Sequence, residues 1–598
     1  MAYQLIILAC ALLLGQTLAN PIDAPHAADA VATELIVLHN NDMHARFEQT
    51  NARSGQCTAD DAKADKCYGG FARVAHEVRK YREEAKKGGT PVFYLNAGDT
   101  YTGTAWFAVF KDKIASAFLN KLQPDAISLG NHEFDKNVEG LIPFLNDVQF
   151  PVLACNLDLS KEPELAATKL TNSTVLETNG VKIGVIGYLT PETKNLTSVN
   201  DVMYNEEIVS INEEAARLKA QGIKIIIALG HSGYQKDQQI ALHCPEVDIV
   251  IGGHSHTYLD SNKPIADKDD TNAEANRGPF PTVVEQPSGK KVPVVQAYAY
   301  TKYLGKLHLQ FDAEGNLLHF DGEPILLNAT IPQDPEILQL LEYYRPNITS
   351  LEQQIVGYTK TFLEGGTCRL QECNLGNLIA DSMVHTRVLE DESGKFWTDA
   401  PIALLQGGGI RSSIEKNVNG SITGSDVLTV LPFENALYIT RISGKTLMAA
   451  LERSAAIRNA DSNGGFLQFS GINVVYDYDM EEGHHVVSAM VRCAECAVPI
   501  YSPLNETSYY KVVVSEFLLN GGDGYVMKEK DEPFTLLLKK NDQFAFAQYL
   551  EARHYVYPAL EGRIVIRGPT ENKDDGAASI IASVSLIMFS TLATRFFN

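Results

Sequence analysis

The sequence predicts an α/β protein with two large domains, and three observations point to that class. From residue 34 onward, short apolar runs alternate with amphipathic helical patterns, which is typical of a layered α/β fold. A chain of 598 residues is too long for one hydrophobic core. Residues 335–355 have a helical pattern that Pro346 interrupts, and this segment is our candidate interdomain connector. We therefore expect a first domain at 34–334 and a second at 356–567.

Apolar runs predict the strands of the first domain, and polar side chains follow most of them. The predicted strands are 35–38, 92–95, 126–129, 151–154, 181–188, 223–229, 247–251, 294–298 and 303–311. Residues 73–86 are predicted as a charged amphipathic helix, and the polar segment 258–292 as a long surface loop. Because the carboxyl ends of parallel strands meet at one edge of a sheet, side chains that follow different strands can share one site.

Seven such side chains have the chemistry of metal ligands. They lie one to six residues beyond an apolar run and are Asp42, His44, Asp99, Asn131, His231, His254 and His256. Imidazoles, carboxylates and one amide suit zinc or manganese better than calcium, which prefers oxygen ligands alone. Seven ligands exceed one tetrahedral ion and suit two ions that share a carboxylate, an arrangement that supports displacement at phosphorus. The alternative is that these residues bind no metal and are only capping side chains and partly buried histidines. That coincidence would have to recur at five strand ends.

Composition and the two ends of the chain indicate where the protein works. The formal net charge of -23 argues against a nucleic-acid-binding surface, although local arginines can still bind a phosphate. Residues 1–25 resemble a signal peptide that lacks a charged start. Residues 568–598 contain a polar linker followed by an apolar run at 577–593. This pattern fits a glycolipid-anchor signal that is cleaved, with the lipid attached at one of residues 575–577. The alternative is a terminal membrane helix.

The cysteines fit an oxidising compartment. Eight of the nine lie beyond the signal segment, and close spacing predicts the pairs Cys57–Cys67, Cys368–Cys373 and Cys493–Cys496. Elimination leaves Cys155 to pair with Cys244. Six glycosylation sequons agree with an extracellular location, at Asn172, Asn195, Asn328, Asn347, Asn419 and Asn505.

The second domain has features that suit binding of an anion and a flat base. Three glycines at 407–409 allow close approach to a ligand, and Arg411 after them can hold an anion by two hydrogen bonds. Phe433 and Phe517 adjoin turn-forming segments and could enclose a base, although single phenylalanines near strand ends are usually core residues. A plain glycine loop is the alternative for 407–409.

The polar blocks of the first domain resemble those of the calcineurin-like metallophosphoesterases, in the order and spacing of the 5'-nucleotidase branch. The blocks are Asp42-x-His44, Gly98-Asp99, Gly130-Asn131-His132-Glu133, Gly230-His231 and Gly253-His254-Ser255-His256. The resemblance implies a four-layer α/β domain in which Asp42, His44 and His256 hold one metal. It implies that Asn131, His231 and His254 hold a second metal and that Asp99 bridges the two, with zinc as the expected ion. It also makes His132, oriented by Asp135, the group that stabilises the transferring phosphoryl group and helps to protonate the leaving oxygen.

The second domain resembles the α/β substrate-binding domain of animal ecto-5'-nucleotidases, so the resemblance covers residues 34–566. It implies that Phe433 and Phe517 stack on the base and that Asp523 accepts the ribose hydroxyls. Arg369 and Arg411, with Arg46 of the first domain, would hold the anionic part of the substrate. Gln406 stands where relatives carry Asn, which leaves base preference open. The site would then lie in a cleft that interdomain rotation opens and closes.

These observations predict an extracellular, membrane-tethered, two-metal 5'-nucleotidase. It would hydrolyse nucleoside 5'-monophosphates, preferably AMP, to nucleoside and phosphate. The nearest alternative is an apyrase that hydrolyses ATP and ADP, and a different class is a catalytically silent ectodomain. The expected partners are the nucleotide and a membrane reached through a lipid anchor. A homodimer through the second domain is implied by relatives.

Overall fold

The computed structural model describes residues 31–197, 200–266, 272, 274–392, 396–416, 419–458, 463–530 and 534–568. The predicted signal peptide and nearly all of the predicted anchor segment lie outside these residues. Within the described residues, no helix combines the length and the apolar character needed to cross a membrane.

The first domain is a sandwich of two mixed sheets covered by helices on both outer faces. Its seven-stranded sheet has the order Leu317–Leu326, Tyr303–Phe311, Thr33–Asn40, Val92–Asn96, Ala126–Ser128, Val152–Leu153 and Leu170–Thr171. Its six-stranded sheet has the order Thr282–Glu285, Lys291–Val295, Ile249–Ile251, Ile225–His231, Val181–Leu189 and Ser173–Thr178. The central strands of both sheets are parallel; antiparallel hairpins form three of the four edges, and Leu170–Thr171 lies parallel to Val152–Leu153 at the fourth. A short ribbon pairs Leu157–Asp158 with Met203–Tyr204.

Apolar side chains on the inner strands fuse the two sheets. Val37 and Leu95 of one sheet belong to the same buried cluster as Ile227 and Ile251 of the other. Outside this layer lie the helices Ala59–Lys63, Phe71–Lys86, Ala105–Phe110, Asp112–Leu122, Asn137–Asp147, Pro163–Ala166, Thr193–Leu196, Glu207–Ala220 and Tyr234–His243. The result is the four-layer α/β arrangement that the resemblance implied.

The connector is one continuous helix, Pro335–Gln353. The predicted interruption at Pro346 is therefore wrong. Ile337, Leu341 and Ile348 are buried in the core of the first domain on both sides of the proline, and this packing outweighs the single hydrogen bond that proline cannot donate. Asp334 caps the start of the helix by accepting the backbone N–H groups of residues 336 and 337.

The second domain contains three further sheets. The five-stranded sheet has the order Leu467–Ser470, Ile402–Gln406, Tyr509–Ser515, Ala436–Ser443 and Thr535–Asn541, and the four-stranded sheet has Tyr501–Pro503, Val486–Arg492, Ile472–Asp477 and Ile564–Arg567. A three-stranded sheet joins Ser421–Thr423, Ile355–Thr359 and Tyr555–Val556. The helices are Asn374–Glu390, Gly424–Val430, Gly444–Ile457, Glu516–Leu519 and Asp542–Arg553.

Three predicted disulfides are confirmed and one is wrong. Cys57–Cys67, Cys368–Cys373 and Cys493–Cys496 are bonded. Cys155 and Cys244 are free thiols that pack in the apolar cluster beneath the helices Glu207–Ala220 and Tyr234–His243. Burial raises the pKa of Cys244 to about 12, so this thiol behaves as a small apolar side chain.

The described part of residues 258–292 contains regular structure that the predicted surface loop did not include. It includes the strand Thr282–Glu285, which forms a hairpin with Lys291–Val295. Phe280 is buried between the sheets. Asn276 anchors the backbone ahead of Phe280, because its side chain donates to the carbonyl of Asp260 at 2.9 Å.

Candidate metal centre and substrate cleft

The seven predicted metal ligands gather at the carboxyl ends of strands from both sheets. Asp42 and His44 follow Thr33–Asn40, Asp99 follows Val92–Asn96 and Asn131 follows Ala126–Ser128. His231 ends Ile225–His231 in the second sheet, and His254 and His256 follow Ile249–Ile251. The order of the strands therefore brings together side chains that are up to 214 residues apart in sequence (256 minus 42).

Distances within this set are short enough for shared ions. His256 Nε2 lies 3.1 Å from Asp42 Oδ1 and 3.0 Å from His44 Nε2. His231 Nε2 lies 2.9 Å from Asp99 Oδ2. On the same side of the cluster, His254 Nδ1 lies 3.0 Å from Asn131 Oδ1.

The donor atoms of the cluster fit divalent metal ions. Asp42 Oδ1, His231 Nε2 and His254 Nε2 are buried without a hydrogen-bond partner in the part of the chain that the structure describes. The backbone carbonyl of Ala97 lies 2.7 Å from His231 Nδ1, so Nδ1 carries the proton of the neutral ring and Nε2 is the nitrogen that can bind a metal. Buried polar atoms without partners are costly, and a cation among them would satisfy all three.

Burial and charge set the protonation of these imidazoles. Burial lowers the pKa of His254 to about 3, which keeps this ring neutral and able to donate a lone pair. Burial also opposes protonation of His231, but the carboxylates of Asp99 and Asp42 outweigh it and raise its pKa to about 10. The cluster thus attracts positive charge, and protons and metal ions compete for it.

The backbone that carries the cluster is unusual. Five of the seven residues have left-handed backbone conformations, with φ from 45° to 78°. They are Asp42, His44, Asp99, His254 and His256. Such conformations cost energy for residues other than glycine, and they concentrate at functional sites. The loops also approach very closely, because a Cβ atom on Gly130 would lie 2.2 Å from Asp99 Oδ1.

His132 and Asp135 lie at the edge of the cluster. His132 Nδ1 is 2.8 Å from Asp135 Oδ2, and His132 Nε2 is 3.9 Å from Asp99 Oδ2. Burial opposes protonation of His132, but Asp135 and Asp99 outweigh it and raise its pKa above the ordinary value. Asp135 holds Nδ1, and the raised pKa favours a ring that carries protons on both nitrogens.

A cleft of about 1660 Å³ joins this cluster to the second domain. Its walls contain His132, Asp135, Asp99, Asn131, His254 and His256 on one side and Arg369, Gln406, Arg411, Phe433, Phe517 and Asp523 on the other. The ring of Phe433 stacks on that of His132 at 5.7 Å between centroids. Arg411 Nη2 reaches 3.1 Å from His44 Nε2.

Three side chains of the second wall differ in how they are held. Phe517 lies against Gly522, where a Cβ atom would be only 2.5 Å from the ring. Burial raises the pKa of Asp523 to about 7, although Arg369 and Arg453 oppose this shift. Gln406 Oε1 is buried and has no hydrogen-bond partner among the described residues. It lies in the lining of the cleft.

Arg46 also lines the cleft, but backbone carbonyls take most of its donors. Its Nη1 donates to the carbonyls of His44 and Gly103 at 2.8 and 2.5 Å, and its Nη2 donates across the domains to the carbonyl of Arg411 at 3.3 Å. The guanidinium also lies 4.6 Å from the ring centre of Tyr300. Through these contacts Arg46 joins the two walls of the cleft.

Comparison with known proteins finds a family match for each of the two domains that form the cleft. The calcineurin-like phosphoesterase family matches residues 35–258, and the 5'-nucleotidase C-terminal domain family matches residues 355–530. Protein 5NUC of Lutzomyia longipalpis is 46% identical over 563 residues, which cover 93% of this chain and 96% of that protein. The 5'-nucleotidase of Homo sapiens is 40% identical over 542 residues, which cover 90% and 91% of the two chains.

The chain belongs to the 5'-nucleotidase family. It is accordingly a metal-dependent phosphoester hydrolase with two α/β domains, and the resemblance inferred from its motifs is confirmed. A solved 5'-nucleotidase precursor from Thermus thermophilus is similar in structure, with a TM-score of 0.78 and 34% identity. That similarity covers 89% of this chain and 99% of the other.

This 5'-nucleotidase relies on one buried carboxylate that the sequence did not single out, Glu133. It accepts the backbone N–H groups of Asp99, Thr100 and Tyr101 at 2.9, 2.8 and 3.1 Å. It also accepts the N–H of Gly130 at 2.7 Å. Glu133 therefore ties the loop of Asp99 to the loop of Asn131, and its place within the Gly-Asn-His-Glu block was the available signal.

Proposed function

We propose that this enzyme is an extracellular two-metal 5'-nucleotidase that hydrolyses nucleoside 5'-monophosphates, preferably AMP, to nucleoside and phosphate. The observation that carries the proposal is the contact between the two walls of the cleft. The ring of Phe433 stacks on the ring of His132, which itself lies beside the metal cluster. A base held at Phe433 would therefore place its own 5'-phosphate within reach of the cluster.

The metal cluster would hold two divalent ions, and the mixed nitrogen and oxygen ligands favour zinc. Asp42, His44 and His256 would hold one ion and Asn131, His231 and His254 the other, with Asp99 shared between them. Bound ions would supply Lewis acidity and charge neutralisation to the phosphoryl group.

The side chains around the cluster have separate tasks in this proposal. His132 donates a hydrogen bond to the phosphoryl group and a proton toward the leaving ribose oxygen, because Asp135 holds its other ring nitrogen. Glu133 fixes the loop that carries Asp99, so that the shared carboxylate does not move as charge develops.

The second wall recognises the nucleoside and steadies its phosphate. Phe433 and Phe517 stack on the base, and Asp523 accepts the ribose hydroxyls. Arg369 and Arg411 attract the phosphate, with Arg46 bracing Arg411 through its backbone carbonyl. The unpaired oxygen of Gln406 is an acceptor that could read the edge of the base.

The proposed location is the outer face of the cell membrane. Three disulfides require an oxidising compartment, and five of the six sequon asparagines are exposed: Asn172, Asn195, Asn347, Asn419 and Asn505. The lipid anchor and a homodimer through the second domain remain part of this proposal. Release of the protein from cells by a phosphatidylinositol-specific phospholipase is the expected result for the anchor.

The decisive experiment measures phosphate release from AMP, ADP and ATP by the purified ectodomain, with and without a chelator and added zinc. We expect release from AMP that the chelator abolishes and zinc restores. Release from ATP and ADP that stops at AMP would replace the proposal with an apyrase. Metal-loaded protein that releases phosphate from none of the three would leave a silent ectodomain.

A further inference from the structure

Three charged side chains form an ion cluster between the domains at the mouth of the cleft. Lys136 Nζ donates to Glu434 Oε2 at 3.0 Å, and Lys111 Nζ donates to the same oxygen at 3.2 Å. Both lysines belong to the first domain and Glu434 to the second. The three side chains are 26%, 32% and 38% exposed for Lys136, Lys111 and Glu434, so solvent screens this cluster only in part.

The cluster lies directly beside the residues of the proposed reaction. Lys136 follows Asp135, which orients His132, and Glu434 follows Phe433. Lys136 Nζ also donates to the backbone carbonyl of Phe433 at 3.3 Å. The contact that joins the domains is therefore close in sequence to the proposed proton donor His132 in the first domain. In the second domain it is next to Phe433, the ring proposed to stack on the nucleobase.

The backbone indicates that these charges serve more than solubility. Glu434 has φ of 61° and Lys111 has φ of 55°, both in the left-handed region where glycine is free of strain. Long charged side chains gain nothing from that conformation by themselves. Lys111 also ends the helix Ala105–Phe110, where its N–H donates to the carbonyl of Phe107 at 2.8 Å, and the ion pair across the cleft is a further interaction of both side chains.

The segment that carries Phe433 is anchored firmly on its own domain. Asn435 Nδ2 donates to Asp542 Oδ2 at 3.2 Å, and Gln543 Nε2 donates to the carbonyl of Leu431 at 2.6 Å. A force on Glu434 therefore acts on the whole second domain through residues 431–435. An ion pair at this point can set the angle between the domains and the position of Phe433 together.

We propose that Lys111, Lys136 and Glu434 form a latch that holds the domains closed and positions the ring of Phe433 against His132. The proposal rests on the proposed function in so far as Phe433 receives the base. Opening the cleft would leave two neighbouring ammonium groups without their counter-charge, so the latch opposes opening. The two lysines also repel each other in the closed state. Burial and the neighbouring charge of Lys136 lower the pKa of Lys111, and Glu434 opposes that shift.

A double-mutant cycle in the metal-loaded ectodomain tests the latch through the kinetics of AMP hydrolysis. We expect Glu434→Gln to raise KM about threefold to tenfold, with kcat changed less than about twofold, because closure becomes less favourable. Lys136→Met should raise KM less, since Lys111 still binds Glu434. In the double variant Lys136→Met adds nothing to Glu434→Gln, whereas independent, multiplicative effects would overturn the proposal.

A matched control is Glu415→Gln at another interdomain ion pair. Arg53 Nη1 lies 2.9 Å from Glu415 Oε1, but these side chains are 63% and 39% exposed, and Glu415, the residue replaced, is not part of the cleft lining. We expect KM to change less than about twofold. An equal rise in KM for this variant would show that any lost interdomain charge has the same effect, and it would overturn a specific latch.

Small-angle X-ray scattering of the same full ectodomain, without substrate, tests the latch independently of catalysis. Glu434→Lys should increase the radius of gyration, and adding Lys136→Glu should reverse the increase. If Glu434→Lys does not fold, the comparison of Glu434→Gln with wild type decides the matter. Identical scattering for all folded variants would overturn the latch, whereas loss of AMP hydrolysis in the wild type would overturn only the proposed function.

Discussion

The two walls of the cleft are built in opposite ways. On the first wall, Asp42, His44 and His231 are fully buried; Asp42 and His44 lie in strained loops, and His231 ends a buried strand. On the second wall, Phe433, Phe517 and Asp523 are only half-buried, and they lie on turns and on the short helix Glu516–Leu519 of their own domain. In the proposed enzyme, the chemistry therefore depends on a fully buried cluster, whereas recognition depends on half-buried side chains that the second domain presents to it.

Replacing the shared carboxylate should have the largest effect. Asp99→Asn keeps the shape of the side chain but removes the charge that His231 and His44 face at 2.9 and 3.8 Å. We expect kcat/KM to fall by about a thousandfold or more, with loss of bound metal, as measured by kinetics and elemental analysis. Full metal content together with full activity would show that the first wall does not work as a metal cluster.

Replacing the proposed acid should separate chemistry from metal binding. His132→Ala is expected to lower kcat about 100-fold to 10,000-fold while metal content stays constant, because His132 is oriented by Asp135 rather than by the ligand set. Asp135→Asn is the matched variant and should have a smaller effect in the same direction. Loss of metal from His132→Ala would move this histidine into the ligand set.

Truncating the aromatic side chains should affect recognition alone. Phe433→Ala and Phe517→Ala should each raise KM for AMP about tenfold, because base stacking on an aromatic ring is lost. KM for a small aryl phosphate, which has no nucleobase, should change much less. Equal losses on both substrates would place the phenylalanines in the folding of the second wall rather than in base binding.

The smallest expected effect concerns pH. Because burial raises the pKa of Asp523 to about 7, this carboxyl group is largely protonated at pH 6 and ionised at pH 8. Only the ionised form accepts both ribose hydroxyls, so KM for AMP should fall about threefold as pH rises through 7. The KM of the wild type at each pH is divided by the KM of Asp523→Asn, which removes the effect of the titration of the substrate phosphate. A ratio that does not change with pH would contradict the proposed role of Asp523.

Local patterns made the first wall predictable from sequence. Each ligand follows an apolar run, and the edge rule for parallel strands brings those ends together without knowledge of the packing. The strands Ser173–Thr178 and Leu317–Leu326 escaped prediction because they are partly exposed edge strands without an apolar run. Ser173–Thr178 forms an edge of the six-stranded sheet, and Leu317–Leu326 forms an edge of the seven-stranded sheet.

Other features depend on packing that no local pattern records. Counting cysteines left Cys155 and Cys244 as a pair, but the count cannot show that both thiols lie reduced in an apolar cluster. Likewise, Lys136 and Glu434 are 298 residues apart in sequence, and each alone resembles an ordinary surface charge. Glu133 stood inside a recognised block, but only the structure shows its four backbone partners.

The disulfide Cys368–Cys373 has a consequence for the cell that makes this enzyme. It closes the short loop on which Arg369 stands, and the carbonyl of Cys368 accepts the side chain of Gln468 at 2.8 Å. If Arg369 holds the nucleotide as proposed, a newly made chain in a reducing compartment lacks a fixed anchor for its substrate. In the proposed extracellular enzyme, affinity for the nucleotide would then become complete only after this disulfide has formed.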